Sequence, residues 1–413
     1  MNTNNHFRFP HTTNFLQQQL YSESKILYIS HTLKTFSQSL IGIFVPIYIY
    51  NLPNKPAIHN FEPLDSILWV LIFYLVRSIF VLLLTSGLTN LIFGKLKFKL
   101  SIFLSNIAIC ISIIGMIFAN YNFSYIFITA IALSIDVILY WIPFHLFFIR
   151  KANSSNGKFG KSYGMRLLLT KAASAIGPAT GGFIILAFGF NYLLTVSLVL
   201  ILISGTPILF GIHEHNHGKH NALQIFKKYI SQKKYLPIST AFGAVALEDV
   251  VYTIFWPILL IGVTESFSGV GILTSTSIAI SALLAFYVGK FIDKHGKRKI
   301  HFVGVLINSI IHISRLFILS IFGIFVVDVV DKINGSLYSI PFMTKTYNDA
   351  IDNKHDSEFI IYREIVMHLA IASGLFIIIL ILPLLPNWKF IFIFLAFISP
   401  LTYLINSNSI NRN

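Results

Sequence analysis

Stretches of about 20 apolar residues recur along the whole of this chain, separated by short polar segments. An α-helix of that length matches the hydrocarbon thickness of a bilayer, and in hydrocarbon only helices and closed barrels satisfy every backbone donor and acceptor. The chain of 413 residues is 55% hydrophobic and only 11% charged, where a soluble protein carries about a quarter charged residues. The runs therefore predict an all-α polytopic membrane protein. Twelve spans are expected, at 26–52, 64–88, 98–119, 124–149, 164–188, 191–212, 237–262, 268–291, 300–322, 324–346, 358–384 and 387–407. The polar, basic segment 213–236 divides a first unit, 25–212, from a second, 237–413, after a polar tail at 1–24. That tail has no apolar core before a small-residue cleavage site, so no cleaved signal peptide is expected. A single cysteine, Cys110, excludes an intramolecular disulfide and a multi-cysteine metal site.

The net charge of +15 could suggest nucleic acid, but its placement argues otherwise. Most of the 31 Lys and Arg fall in the termini or in the loops after even-numbered spans. Lys55 and Lys389 lie in the opposite loops, and Lys34, Arg77, Lys171, Arg315 and Lys332 lie within spans. The excess orients both termini to the cytoplasm and implies a cell-membrane location. No nucleic-acid partner is expected.

The two units share local patterns. Leu139-Tyr140-x-Ile142-Pro143-Phe144 is repeated by Leu337-Tyr338-x-Ile340-Pro341-Phe342, and Arg166 and Gly177 by Arg363 and Gly374. Phe44-Val-Pro46 resembles Phe255-Trp-Pro257, and Gly94-Lys95-Leu96 resembles Gly289-Lys290-Phe291. Each match links span n with span n+6, as a duplication of a six-helix unit requires.

Between spans 8 and 9 lies Gly289-Lys-Phe-Ile-Asp293-Lys294-His-Gly296-Lys297-Arg298-Lys299. Gly289 would allow close helix packing. Gly296 suits a backbone needing φ > 0, and the cations would hold the turn on the cytoplasmic side. This turn resembles the signature loop of the major facilitator superfamily, G-x-x-x-D-[RK]-x-G-[RK]-[RK]. The resemblance implies two pseudo-symmetric six-helix bundles around a central cavity lined by spans 1, 4, 7 and 10. By that symmetry the loop abuts the start of span 5, so Asp293 is expected to meet Arg166 there and stabilise the outward-open state. Phe93-Gly-Lys-Leu-Lys-Phe-Lys99, the corresponding loop of the first unit, lacks the Asp and the second Gly.

Span 5 contains Gly177-Pro178-Ala-Thr-Gly181-Gly182, similar to the antiporter motif of drug–proton exchangers in that superfamily. Its plain reading is a bend with close helix approach, since proline removes a backbone donor and glycine admits a neighbouring backbone.

Ionisable groups at membrane depth are costly, so they are functional candidates by default. Glu248 and Asp249 in span 7 are adjacent, so one can face a cavity while the other faces a neighbour, giving a carboxyl that loads and unloads a proton. The alternative is a permanent ion pair. His31, Lys34 and Gln38 share one face of span 1, and His31 or Lys34 could meet Glu248 or Asp249, or snorkel to headgroups. Asp136 in span 4 corresponds to Asn334 in span 10, which suggests one shared polar cavity. Asp328 and Lys332 are spaced to pair on one helix. Arg77 and Arg315 could neutralise acids or hold an anionic substrate. Trp256, with Trp141 and Tyr252, could stack on an organic substrate or serve packing.

His213, His215, His217 and His220 in the central segment read as a solvated linker or as a metal-sensing tract; no metal or cofactor is assigned. Loops too short to gather catalytic groups argue against a polytopic transferase, and no nucleotide-binding fingerprint is present. The expectation is a monomeric secondary transporter, not an enzyme, with a small-molecule substrate and protons as the coupling ion. The span 5 motif and the buried acids favour proton-driven efflux of an amphiphilic or cationic compound. The alternatives are proton-coupled import of a small metabolite and export of a metal or its chelate.

Overall fold

Helices that are apolar on all sides bury one flank against protein and leave the other to lipid. The computed structural model describes residues 10–52, 63–154, 159–211, 220–352 and 355–407. It comprises α1 (Pro10–Gly42), α2 (Phe44–Asn51), α3 (Pro63–Leu91), α4 (Lys97–Ala119), α5 (Tyr125–Ser154), α6 (Phe159–Phe188), α7 (Phe190–Gly211), α8 (Ala222–Ile230), α9 (Leu236–Thr264), α10 (Phe267–His295), α11 (Lys297–Ser314), α12 (Ile321–Asp352), α13 (Asp356–Ile381) and α14 (Ile391–Ile398). There is no strand among the described residues.

Eleven helical segments are long and apolar enough to cross a bilayer, so the chain is a multi-pass membrane protein. The one expected span outside that set is α12. Its 32 residues exceed the bilayer thickness at about 1.5 Å each, but Asp328, Asp331 and Lys332 dilute its apolar character.

Within the first unit α1 packs on α6 and α7, and α4 on α5 and α7; within the second, α9 packs on α13, and α11 on α12 and α14. Across the units α6 lies along α10, α3 along α13, and α2 against α9. Two apolar clusters draw on both units. One joins Phe44 and Ile47 to Phe255 and Trp256. The other, toward the end carrying both termini, joins Leu139 and Ile142 to Phe342 and Tyr362. At that second end His145 Nδ1 lies 2.6 Å from the Tyr347 hydroxyl, tying α5 to α12.

The span 5 motif sits where α6 crosses its neighbours. A Cβ on Gly177 would collide with Ser39, on Gly181 with the Leu40 carbonyl, and on Gly182 with the Phe267 backbone. The Pro178 carbonyl in turn occupies the space where a Cβ on Gly271 of α10 would stand. Close packing accounts for all four residues.

The turn between α10 and α11 is one residue, Gly296, at φ +85°, as the sequence suggested. Gly289 departs from expectation. Nothing stands within 4 Å of its would-be Cβ, because it lies on an open flank of α10, not at a helix crossing. Lys294 and Lys297 are exposed, and Arg298 Nε reaches the Tyr403 hydroxyl at 3.3 Å. The expected Asp293–Arg166 contact involves side chains outside the described residues.

The central segment is not wholly a linker. Asn221 caps α8, accepting from the amides of Leu223 and Gln224. The helix then docks on α13, with Tyr229 stacked 5.0 Å from Tyr362 and Lys228 2.6 Å from Glu358. His220 packs edge-on against Phe93, and burial holds its imidazole below the ordinary range. His213, His215 and His217 lie outside the described residues.

Candidate functional site

Both bases and acids occur at membrane depth, and each must be compensated or face water. For Lys34 in the first unit the compensation is internal. Lys34 Nζ on α1 lies 2.8 Å from Asp136 Oδ1 on α5 and 3.1 Å from Ser105 Oγ, over the ring of Tyr140. His31 Nδ1 lies 2.5 Å from the same tyrosine's hydroxyl. All are buried. This overturns the expected meeting of His31 or Lys34 with Glu248 or Asp249, because the nearer α5 supplies both partners. Gln38 is half-buried and makes no side-chain hydrogen bond with a described residue. Asn334 is not part of a shared cavity with Asp136: it is buried against α11, donating to the Gly304 carbonyl at 3.0 Å.

The second unit holds a chain of polar groups around α9, α11 and α12. Glu248 accepts from Asn308 Nδ2, from His312 at 2.7 Å and from the Tyr338 hydroxyl at 3.1 Å. Arg315 Nη1 lies 2.5 Å from His312 Nδ1. Guanidinium has no acceptor, so Nδ1 must be unprotonated and Nε2 must carry the hydrogen that meets Glu248. Arg315 also pairs with Asp331 at 3.0 Å. Lys332 lies 2.6 Å from the Tyr252 hydroxyl, 3.6 Å from Asp328 and 3.7 Å from Asp331. The i, i+4 pairing expected on α12 is therefore present, within a wider network.

Trp256 does not face a cavity. Its indole donates to Asp328 at 3.0 Å and the residue is fully buried, so it forms a wall behind the network instead of a stacking platform.

Asp249 differs from every acid around it. It makes no hydrogen bond or ion pair with any described residue, and it is open to internal space. It lines two cavities. One, of 260 Å³, is bounded by Lys171 of α6 and by Glu248, Tyr252, Asn308, His312, Asp331, Lys332 and Tyr338. The other, of 180 Å³, lies between α3, α9 and α13, bounded by Tyr74, Arg77, Ser78, Met367 and His368. Lys171 crosses from the first unit to the second, donating to Ser281 Oγ at 2.5 Å, Ser336 Oγ at 2.7 Å and the Lys332 carbonyl at 3.2 Å.

Asn308, His312, Ser78 and His368 escaped the sequence reading. They are single neutral polar residues in apolar runs, and their signal is only that a buried polar side chain needs a partner. No group of three potential metal ligands occurs among the described residues.

No protein-family model matches the chain, and no curated protein matches it. Solved structures do. A structure described as an auto-inhibited POT family peptide transporter superposes with a TM-score of 0.68 at 8% identity, covering 95% of this chain and 97% of its own. A POT family transporter in complex with 5-aminolevulinic acid superposes with a TM-score of 0.67 at 12% identity, covering 92% and 94%. Both cover nearly the whole chain, and both are of the major facilitator type. The chain has the fold of the major facilitator transporters.

Proposed function

We propose that the chain is a proton-coupled secondary transporter that imports a small zwitterionic or peptide-like solute by alternating access, with Asp249 as the proton carrier. The single observation carrying this reading is the contrast around the 260 Å³ cavity. Glu248, Asp328 and Asp331 are each committed to donors or bases, whereas Asp249 is free to take a proton. Neighbours described with a peptide-transporter name and with bound 5-aminolevulinic acid favour a solute with both an amine and a carboxylate. Efflux loses its main sequence support, since packing alone explains the Gly177–Gly182 motif. Drug–proton antiport also finds no counterpart in the neighbours' descriptions. In this reading the chain works as a monomer in the cell membrane with both termini cytoplasmic. The two units rock about the cavity as Lys171 releases and re-forms its bridge.

The test is uptake into proteoliposomes under an inward proton gradient, with dialanine and 5-aminolevulinic acid as solutes. Accumulation should follow the gradient. Asp249→Asn should lose gradient-driven accumulation while retaining exchange of labelled for unlabelled solute. Proton-driven accumulation undiminished in Asp249→Asn would remove Asp249 from the mechanism, and flux only in the outward direction would reverse the assignment.

A further inference from the structure

We propose that the 180 Å³ cavity between α3, α9 and α13 is a binding lobe for a small monoanion of carboxylate size, held by Arg77. The bases at membrane depth carry the argument. Lys34 is paired with Asp136, Arg315 with Asp331, and Lys332 with Asp328 and Asp331. Lys171 spends its three hydrogens on three oxygens, and Arg363 on α13 pairs with Glu364 at 3.4 Å. Arg77 forms no ion pair with any described residue, and its Nε is buried with no acceptor. A guanidinium cannot shed its proton, so the charge persists; Asp249, the one acid lining the cavity, makes no ion pair with it, which leaves the guanidinium open to an anion that enters.

The cavity fits such a guest. Its volume exceeds by several-fold the roughly 30 Å³ that a water molecule occupies in the liquid. His368 and Ser78 line it and are linked to each other at 3.1 Å, which supplies neutral polar atoms beside the cation. A planar guanidinium accepts a carboxylate through two parallel hydrogen bonds, a geometry an ammonium cannot offer. Because Asp249 lines both cavities, an anion beside Arg77 adjoins the 260 Å³ space. The guest is then a free ion or the carboxylate end of the cargo. The second source rests on the transport reading above; the anion site itself does not.

The test is calorimetric titration of the full-length protein in nanodiscs at fixed pH and ionic strength, in a bulky sulfonate salt, with sodium acetate as the probe. Saturable acetate binding is expected. Arg77→Gln should weaken it at least about tenfold, and Arg77→Lys, which keeps the charge and tests the fold, should weaken it only a few-fold. Displacement of acetate by dialanine but not by dialanine amide assigns the lobe to the cargo's carboxylate. Displacement by chloride but not dialanine assigns it to a free ion. No saturable acetate binding, or equal binding by wild type, Arg77→Gln and Arg77→Lys, overturns the proposal. Acetate binding in a protein that moves no solute would retain the lobe and discard the transport reading.

Discussion

Glu248 and Asp249 are neighbours in sequence with opposite surroundings, because an α-helix turns about 100° per residue. One points into Asn308, His312 and Tyr338; the other opens onto two cavities. Glu248→Gln should therefore act through structure, loosening α11 from α9, and lower the unfolding midpoint in detergent more than Asp249→Asn does. A buried pair behaves differently from either. Asp136→Asn leaves Lys34 uncompensated, which costs about 3–5 kcal/mol when one partner of a buried pair is removed. Replacing both, as Lys34→Met with Asp136→Leu, should recover most of that loss in a thermal unfolding measurement. A double variant as unstable as Asp136→Asn would mean that the pair contributes more than charge balance.

Glycines that sequence motifs single out can have unlike roles, and the helices decide which. Gly181 lies where α6 crosses α1, and a methyl there meets the Leu40 carbonyl and the Phe44 ring. Gly181→Ala should cost about 1–3 kcal/mol through overpacking. Gly289 is on an open stretch of α10 at ordinary φ, so Gly289→Ala should be neutral or stabilising by up to about 1 kcal/mol, the helix-propensity difference. Unfolding midpoints of the two variants in detergent compare them directly. Equal destabilisation would contradict the packing account. Pro143 and Pro341 stand inside α5 and α12 at matched positions, where each removes one backbone donor from a helix that borders both units.

At the scale of the molecule, two apolar clusters and a few polar links hold the units together, and the polar links are what a conformational change must break. His145–Tyr347 closes the end carrying the termini, and Lys171 bridges α6 to α10 and α12 in the interior. Tyr347→Phe removes the hydroxyl without changing the ring, so it should shift the population toward opening at that end. A cysteine introduced at Ser336, in a Cys110→Ser background, should then react faster with a membrane-impermeant maleimide added on that side. An unchanged labelling rate would place the seal in the apolar cluster alone.

Much of this molecule is legible in the residues because the bilayer removes alternatives. Hydrocarbon forces every apolar run of sufficient length into a helix, so the spans follow from run length. The matched Leu-Tyr-x-Ile-Pro-Phe segments reveal the duplication, and Gly296 marks a turn whose φ excludes most side chains. The pairing of the buried charges was a different matter. Whether Lys34 meets Asp136 or Glu248 depends on helix rotation and on which neighbour stands closer, and an apolar run leaves rotation unmarked because all its faces look alike. Asn308, His312 and His368 take their roles only when α11 and α13 are set against α9 and α3. The isolation of Asp249 and Arg77 likewise exists only as a relation among helices. Local chemistry determined the elements; the packing of those elements decided which charges are satisfied and which are left facing a cavity.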